Sequence, residues 1–309
     1  MSQAHHHPDP TRVHQILSRE ELRGFNTKSD LAGLRTLTVT WAMIVGCFAL
    51  VAYFPNPLTV LFALVILGGR QLGLAVVMHD SGHKALFKRR ALNRFVGRWL
   101  AGGPIWSDVD SYMNKHRIHH ASAGSENDPD LQNYEPYAVT KASLRRKVLR
   151  DLTGRTGLRT LRFFLSRGPK VWWRAVVSNV VLFAILALLG QPWLYLLWIG
   201  SYLTTNMLFS RIRQAAEHAV VPDLHDPDPR KHTRTTLASW WERLTFAPNG
   251  VNYHLEHHLL PGVPPHQLPR LHRLLKERGF YEEADIAPGY ADVVSRLTVK
   301  SEVREASPA

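Results

Sequence analysis

The chain has a single cysteine among 309 residues, Cys47, and it lies inside an apolar run. One thiol cannot make a disulfide framework, a thiolate zinc site or a cysteine-bound iron–sulfur cluster. An apolar core close to the first residue is also missing, so the polar opening is not a secretory signal. Internal repeats are absent, as are low-complexity tracts beyond that opening. Acidic residues are in short supply: 25 Asp plus Glu stand against 38 Lys plus Arg. A basic excess of this size admits nucleic acid, an anionic membrane surface or an acidic substrate. Its distribution along the chain decides among them.

Charge is missing from long stretches. Residues 36–54 carry none, and that run is about as long as a helix needs to cross a hydrocarbon core. Phe54-Pro55-Asn56-Pro57 reads as a turn, and 58–78 as a second span, interrupted by Arg70 and Gln71. An arginine there is costly unless it faces protein or snorkels to the interface. No charge occurs in 175–210 either, and Gly190-Gln191-Pro192 divides that region into spans at 175–189 and 193–212. Two apolar hairpins result. Their tips lack Lys and Arg while residues 84–174 are rich in both, so both termini and the long basic loop belong on the cytoplasmic side. Membrane topology accounts for the basic excess, and nucleic acid is not needed as a partner. Residues 92–105, with Arg98 and Trp99, suit a helix lying at the interface. The leucines of 265–279 (Leu268, Leu271, Leu274, Leu275) have helical spacing.

What the chain does have is histidine, 17 in all. His79 and His83 are four apart. His116, His119 and His120 form an HxxHH box, and His254, His257 and His258 form another. On a helix these spacings place the rings close enough to share a metal ion. His218 sits just past the fourth apolar run. In the two-hairpin topology all nine residues meet on one side of the membrane. Eight or nine imidazoles exceed what one metal takes, and two ions with four or five nitrogens each fit the count. Imidazole suits zinc, copper, iron and nickel alike. Asp80, Glu217, Glu256, Asp128 and Asp130 are placed to orient ligand imidazoles by accepting their second N–H. His225, His232, His266 and His272 fall outside the box spacing, which suits surface or supporting positions rather than ligation. His14 and the His5-His6-His7 triplet belong to the N-terminal tail.

The order HxxxH, HxxHH, HxxHH, with spans before the first box and two more between the second and third, resembles the membrane fatty acid desaturases. The resemblance covers about residues 36–276. It includes the tract from His254 to Pro261 and the residues Tyr253, Pro264, Leu268, Pro269 and His272, which look like the C-terminal box of bacterial members. It implies an all-α integral membrane protein with four transmembrane helices in two hairpins and a cytoplasmic helical cap holding a di-metal site. Residues 1–35 would be a polar segment, disordered or interfacial, 36–279 the desaturase-like domain and 280–309 a cytoplasmic tail, in the bacterial inner membrane. It further implies two iron ions, dioxygen as co-substrate, and removal of two adjacent hydrogens from an acyl chain to give an alkene and water. His218 matches an extra ligand histidine of the family's acyl-CoA desaturases. Gln214 stands where those enzymes carry an asparagine that contacts iron through water. The implied substrates are acyl-CoA, acyl-ACP or phospholipid. Because no haem domain, flavin fingerprint or cysteine cluster is present, a separate electron donor is implied, ferredoxin or a b-type cytochrome with a reductase. The alternatives are a hydroxylase or ketolase of a lipid, alkane or carotenoid on the same scaffold and, further off, a histidine-rich metal transporter or a membrane zinc hydrolase.

Overall fold

The computed structural model describes residues 11–299, so the His5-His6-His7 triplet lies outside the described residues. Two short helices open the described chain, α1 (Thr11–Ile16) and α2 (Arg19–Phe25), the second started by a Ser18–Glu21 capping box. Far from standing free, they bury Val13, Leu17 and Phe25 against Leu268, Leu271 and Leu275, and Glu21 pairs with Arg278 at 2.5 Å. His14 is exposed on α1. α3 (Asp30–Tyr53) and α4 (Pro57–Gly82) form the first apolar hairpin, and the Asn56 side chain caps α4 by accepting from Leu58 and Thr59 N–H.

α5 (Arg90–Phe95) runs into a π-helical turn, Val96–Gly102, and a 3₁₀ turn, Gly103–Ile105. This stretch was expected to lie on the membrane surface. It is instead wedged among the apolar helices, with Val96, Gly97 and Ala101 to Ile105 buried. Its carbonyls are taken by side chains: Trp41 Nε1 donates to Leu100, Asn179 Nδ2 to Gly103 and Trp198 Nε1 to Pro104. Irregular backbone buried among apolar helices is tolerated when protein groups satisfy it in this way.

α6 (Val109–Ser122) follows, N-capped by Asp108, and then α7 (Lys141–Leu152) and α8 (Arg155–Ser166). α9 (Pro169–Leu188), α10 (Leu194–Leu203) and α11 (Thr205–His218) make the second apolar region. Among the described residues, three helical stretches are long and apolar enough to cross a membrane: the one ending with α3, α4, and α9. The expected fourth span is broken at Thr204 (φ −117°, ψ −87°). The break follows from close packing on α4. A Cβ on Gly68 would sit 2.2 Å from Thr205 Oγ1, and Thr205 and Asn206 side chains donate to the Leu64 and Gly68 carbonyls. Arg70 and Gln71, the polar interruption of α4, face protein: Arg70 Nη2 donates to the Arg243 carbonyl at 2.6 Å and Gln71 Nε2 to that of Trp198 at 2.8 Å.

The remaining elements are α12 (Pro229–His232), β1 (Arg234–Thr236), α13 (Trp240–Leu244), α14 (His254–Leu259), α15 (Leu268–Glu277), β2 (Asp285–Ala287) and α16 (Tyr290–Arg296). The protein is mostly helical but not all-α, because β1 and β2 pair in parallel with Arg234 opposite Asp285. The Arg234–Asp285 ion pair at 2.6 Å holds that ladder. Residues 280–296 therefore pack on the rest of the protein. Tyr290 and Val293 pack with Phe209 and Ala216 of α11, and Phe280 joins the α1–α15 cluster.

Candidate metal centre

Four helix ends deliver the histidines. His79 lies in the last turn of α4 and His83 caps it, His116, His119 and His120 lie on α6, His218 ends α11, and His254, His257 and His258 lie on α14. Their ring nitrogens converge in two groups. The first holds His79, His83, His116, His120 and His257, and the second His119, His218, His254 and His258, with the ligand atoms within each group no more than 4.8 Å apart. The nine expected residues make up the two groups completely.

The division does not follow the boxes, so the three rings of an HxxHH box do not all share one ion. Each HxxHH box sends its i, i+4 pair to one group and its middle histidine to the other: His116 and His120 against His119, His254 and His258 against His257. Helix geometry allows it. Residues four apart are offset by about 40° around the axis, whereas the middle residue is turned about 60° from the first, on the other side, and about 100° from the last. The middle ring finds its partners on other helices.

The nitrogens approach closely enough to test for a cation. His218 Nε2 is 2.9 Å from His254 Nε2, and His258 Nε2 is 3.0 Å from the latter. In the other group His116 Nε2 lies 2.9 Å from that of His79 and 3.0 Å from that of His120, with His257 Nε2 3.0 Å from the last. The partner on the far side of His218 fixes its tautomer. His218 Nδ1 is 3.0 Å from the His232 carbonyl, which can only accept, so Nδ1 carries the hydrogen and Nε2 is a bare lone pair aimed at the neighbouring ring nitrogens. Ring nitrogens converging in this way form a donor set suited to a cation. Burial adds to this, for it brings the His83 imidazole down to about 4 and holds His257 and His258 well below the usual histidine range. These three rings are neutral at physiological pH, as metal ligation requires. The residues fit a pair of metal ions.

The carboxylates divide into those that touch ligands and those that do not. Asp80 Oδ1 accepts from His79 Nδ1 at 2.8 Å and Asp128 Oδ1 from His119 Nδ1 at 2.9 Å, while Glu217, paired with Arg213, lies 3.3 Å from His254 Nδ1. Asp130 does not orient an imidazole; it pairs with Lys115 at 2.6 Å. Glu256 does not either. It lies about 200° around α14 from His254 and accepts from His272 Nδ1, Tyr281 and Thr235. Gln214, one turn before His218, lines a crevice of about 310 Å³ with Tyr112, His116 and Arg213. Among the histidines outside the boxes, His225 is exposed, whereas His232 and His272 are buried beside the centre in supporting positions.

Two tyrosines escaped the sequence reading. Tyr112 stacks on His116 with centroids 5.0 Å apart, and Tyr134 stacks on His218 at 4.8 Å while its hydroxyl donates to Asp128. Tyr112 precedes His116 by four residues, a helical spacing that could have revealed it. Tyr134 lies in a loop, where no periodicity points to it.

Comparison with known proteins places the chain among oxidative enzymes. The family model described as fatty acid desaturase matches residues 55–287. Dihydrorhizobitoxine desaturase of Bradyrhizobium elkanii is 24% identical over 86% of this chain and 79% of its own length. A β-carotene ketolase of Paracoccus sp. (strain PC1) is 26% identical over 70% of the chain and 80% of its own length. The sn-1 oleoyl-lipid 12-desaturase of Synechocystis sp. is 24% identical over 82% of the chain and 78% of its own length.

Proposed function

The chain belongs to the fatty acid desaturase family, and from that premise we propose that it is a di-iron, dioxygen-dependent enzyme that introduces a double bond into a lipid acyl chain. It is a membrane oxidoreductase acting on lipid acyl chains. The observation that carries the di-iron reading is the convergence of nine imidazoles into one group of five and one of four. Bound there, the iron pair would supply the oxidising power that dioxygen and external electrons bring to an unactivated C–H bond.

The chain's own residues do the rest. The five-histidine group would hold one ion and the four-histidine group the other. Asp80 and Asp128 keep the proton on Nδ1 of His79 and His119, so that Nε2 stays free to ligate. The stacked rings of Tyr112 and Tyr134 hold His116 and His218 in orientation. Burial of the boxes keeps bulk water from the reacting carbon.

The finer reading follows from charge and composition. The hairpin tips at 54–57 and 189–193 face away from the cytoplasm, in a bacterial inner membrane, and both termini and the metal centre face it. α10 and α11 together make the fourth crossing. The substrate is acyl-CoA, acyl-ACP or phospholipid, and electrons come from ferredoxin or a b-type cytochrome with its reductase. Similarity to a β-carotene ketolase favours one second reading, oxygen insertion in place of desaturation on the same site. The test has two parts. Metal analysis of purified protein should find iron near two per chain; zinc alone would refute the oxidase. Lipid profiling of an expressing host should find new unsaturation, whereas new alcohols or ketones would select the second reading.

A further inference from the structure

Residues 237–251 form a loop with a closed neck. Thr236 N–H donates to the Asn252 carbonyl at 3.0 Å, and Asn252 Nδ2 donates back to Thr236 at 2.9 Å. α13 lies within the loop, and the third histidine box begins two residues after the neck, at His254. One side of the loop is pinned to protein. Glu242 is buried and accepts from Ser239 and from Tyr290 N–H. The other side exposes Trp240, Trp241 and Leu237 at 76, 46 and 42%.

The depth of this loop can be read along α4. Leu244 and Thr245 press on Gly69 at backbone distance: a Cβ there would lie 2.2 Å from the Leu244 oxygen and 2.8 Å from Thr245 Cα. Further along, Asn249 Nδ2 donates to the Gly73 carbonyl at 2.9 Å. After α13 the chain thus climbs α4 toward the metal centre. At 1.5 Å per residue, Gly69 is about 18 Å from the far end of α4. A hydrocarbon core about 30 Å thick that begins at the Asn56 turn ends near Val77. Gly69 is then about 12 Å below the near boundary, and His79 lies just above it. The contacts with Gly69 are made by backbone, so no long side chain bridges a difference in depth.

We propose that residues 237–251 are a re-entrant loop, with Leu237, Trp240 and Trp241 immersed in the acyl chains of the leaflet on the metal-centre side. The partner is the lipid hydrocarbon itself. Exposed Arg243, on the same short helix, can extend its stem toward the phosphates while the tryptophans stay below, the usual division of labour for such residues. The loop ties bilayer position to His254 through its two-strand neck, and it needs no assumption about the reaction.

The test uses the full chain in phosphatidylcholine nanodiscs. Trp240→Cys in a Cys47→Ala background carries an environment-sensitive fluorophore. Leu61→Cys on the lipid-exposed side of α4 and Glu282→Cys on the cap serve as references. A nitroxide on the acyl chain should quench the label at 240 about threefold more than at 282, and aqueous iodide should reach it as poorly as at 61. Iodide access equal to that at 282, quenching only by a head-group nitroxide, or protection from every quencher by protein contact would each overturn the proposal. Should the labelled variant fail to fold, brominated lipid provides the second measurement. The quenchable tryptophan emission should fall in Trp240→Phe relative to the unmodified protein, and equal quenching would refute immersion.

Discussion

Asp128 allows the two metal groups to be separated by one carboxylate. It is buried and serves only the four-histidine side. Oδ1 accepts from His119 Nδ1 and from Asp130 N–H, and Oδ2 from the Tyr134 hydroxyl. Asparagine can keep all three contacts, because its amide oxygen replaces Oδ1 and the Tyr134 hydroxyl can turn to accept from its NH₂. Only the charge is lost. Alanine removes the charge and also strands a buried imidazole N–H and a buried hydroxyl. Loss of such an orienting partner costs 10- to 100-fold in metal affinity. Asp128→Asn should fall at the low end, about tenfold or about 1.4 kcal/mol, and Asp128→Ala near the high end, about 3 kcal/mol. The assay is iron retained per chain across a chelator titration, on protein shown to be folded and monodisperse. The wild type should release two ions. In the variants one release step should move to lower chelator while the other, from the five-histidine group, stays in place. Asp130→Asn should match the wild type, since Asp130 pairs with Lys115. Unchanged curves in both Asp128 variants, or a joint shift of both steps, would refute the assignment of Asp128 to one ion.

Three further outcomes are expected. His218→Ala should lose activity and part of its iron, while His225→Ala, on an exposed loop, keeps both and Gln214→Ala has a milder effect; an active, fully loaded His218→Ala would leave eight ligands. Gly69→Ala should lower stability by about 1–3 kcal/mol in a thermal melt because its Cβ meets backbone, whereas Gly46→Ala, with nothing within 4 Å, should be neutral or gain about 0.5 kcal/mol. Reporter fusions after Asn56 and after Gln191 should read the side opposite to one at Asn133, and an outside signal from Asn133 would undo the topology.

The sequence by itself determined the inventory of this protein. Charge-free runs of membrane length and their basic flanks are local properties of composition, and burial in lipid depends on little else. The spacing within each histidine box is likewise local, which is why the eight box histidines could be named before any fold was known, whereas His218 stands alone and was named through the family resemblance. Pairing was not local. Which ring joins which group depends on how α4, α6, α11 and α14 meet, and the 100° turn between neighbouring histidines allows each middle ring to reach partners on other helices. The break at Thr204 is invisible in an apolar run, because it is made by Gly68, a residue far away in the chain that admits Thr205. The role of Glu256 was misjudged by proximity in sequence, although its angle on α14 already pointed it at Thr235, His272 and Tyr281. The return of residues 280–296 onto the cap was likewise decided by a partner strand at 234–236, some 50 residues earlier. Local composition set where the chain meets lipid and which side chains can bind metal; contacts between distant segments decided how those side chains are shared.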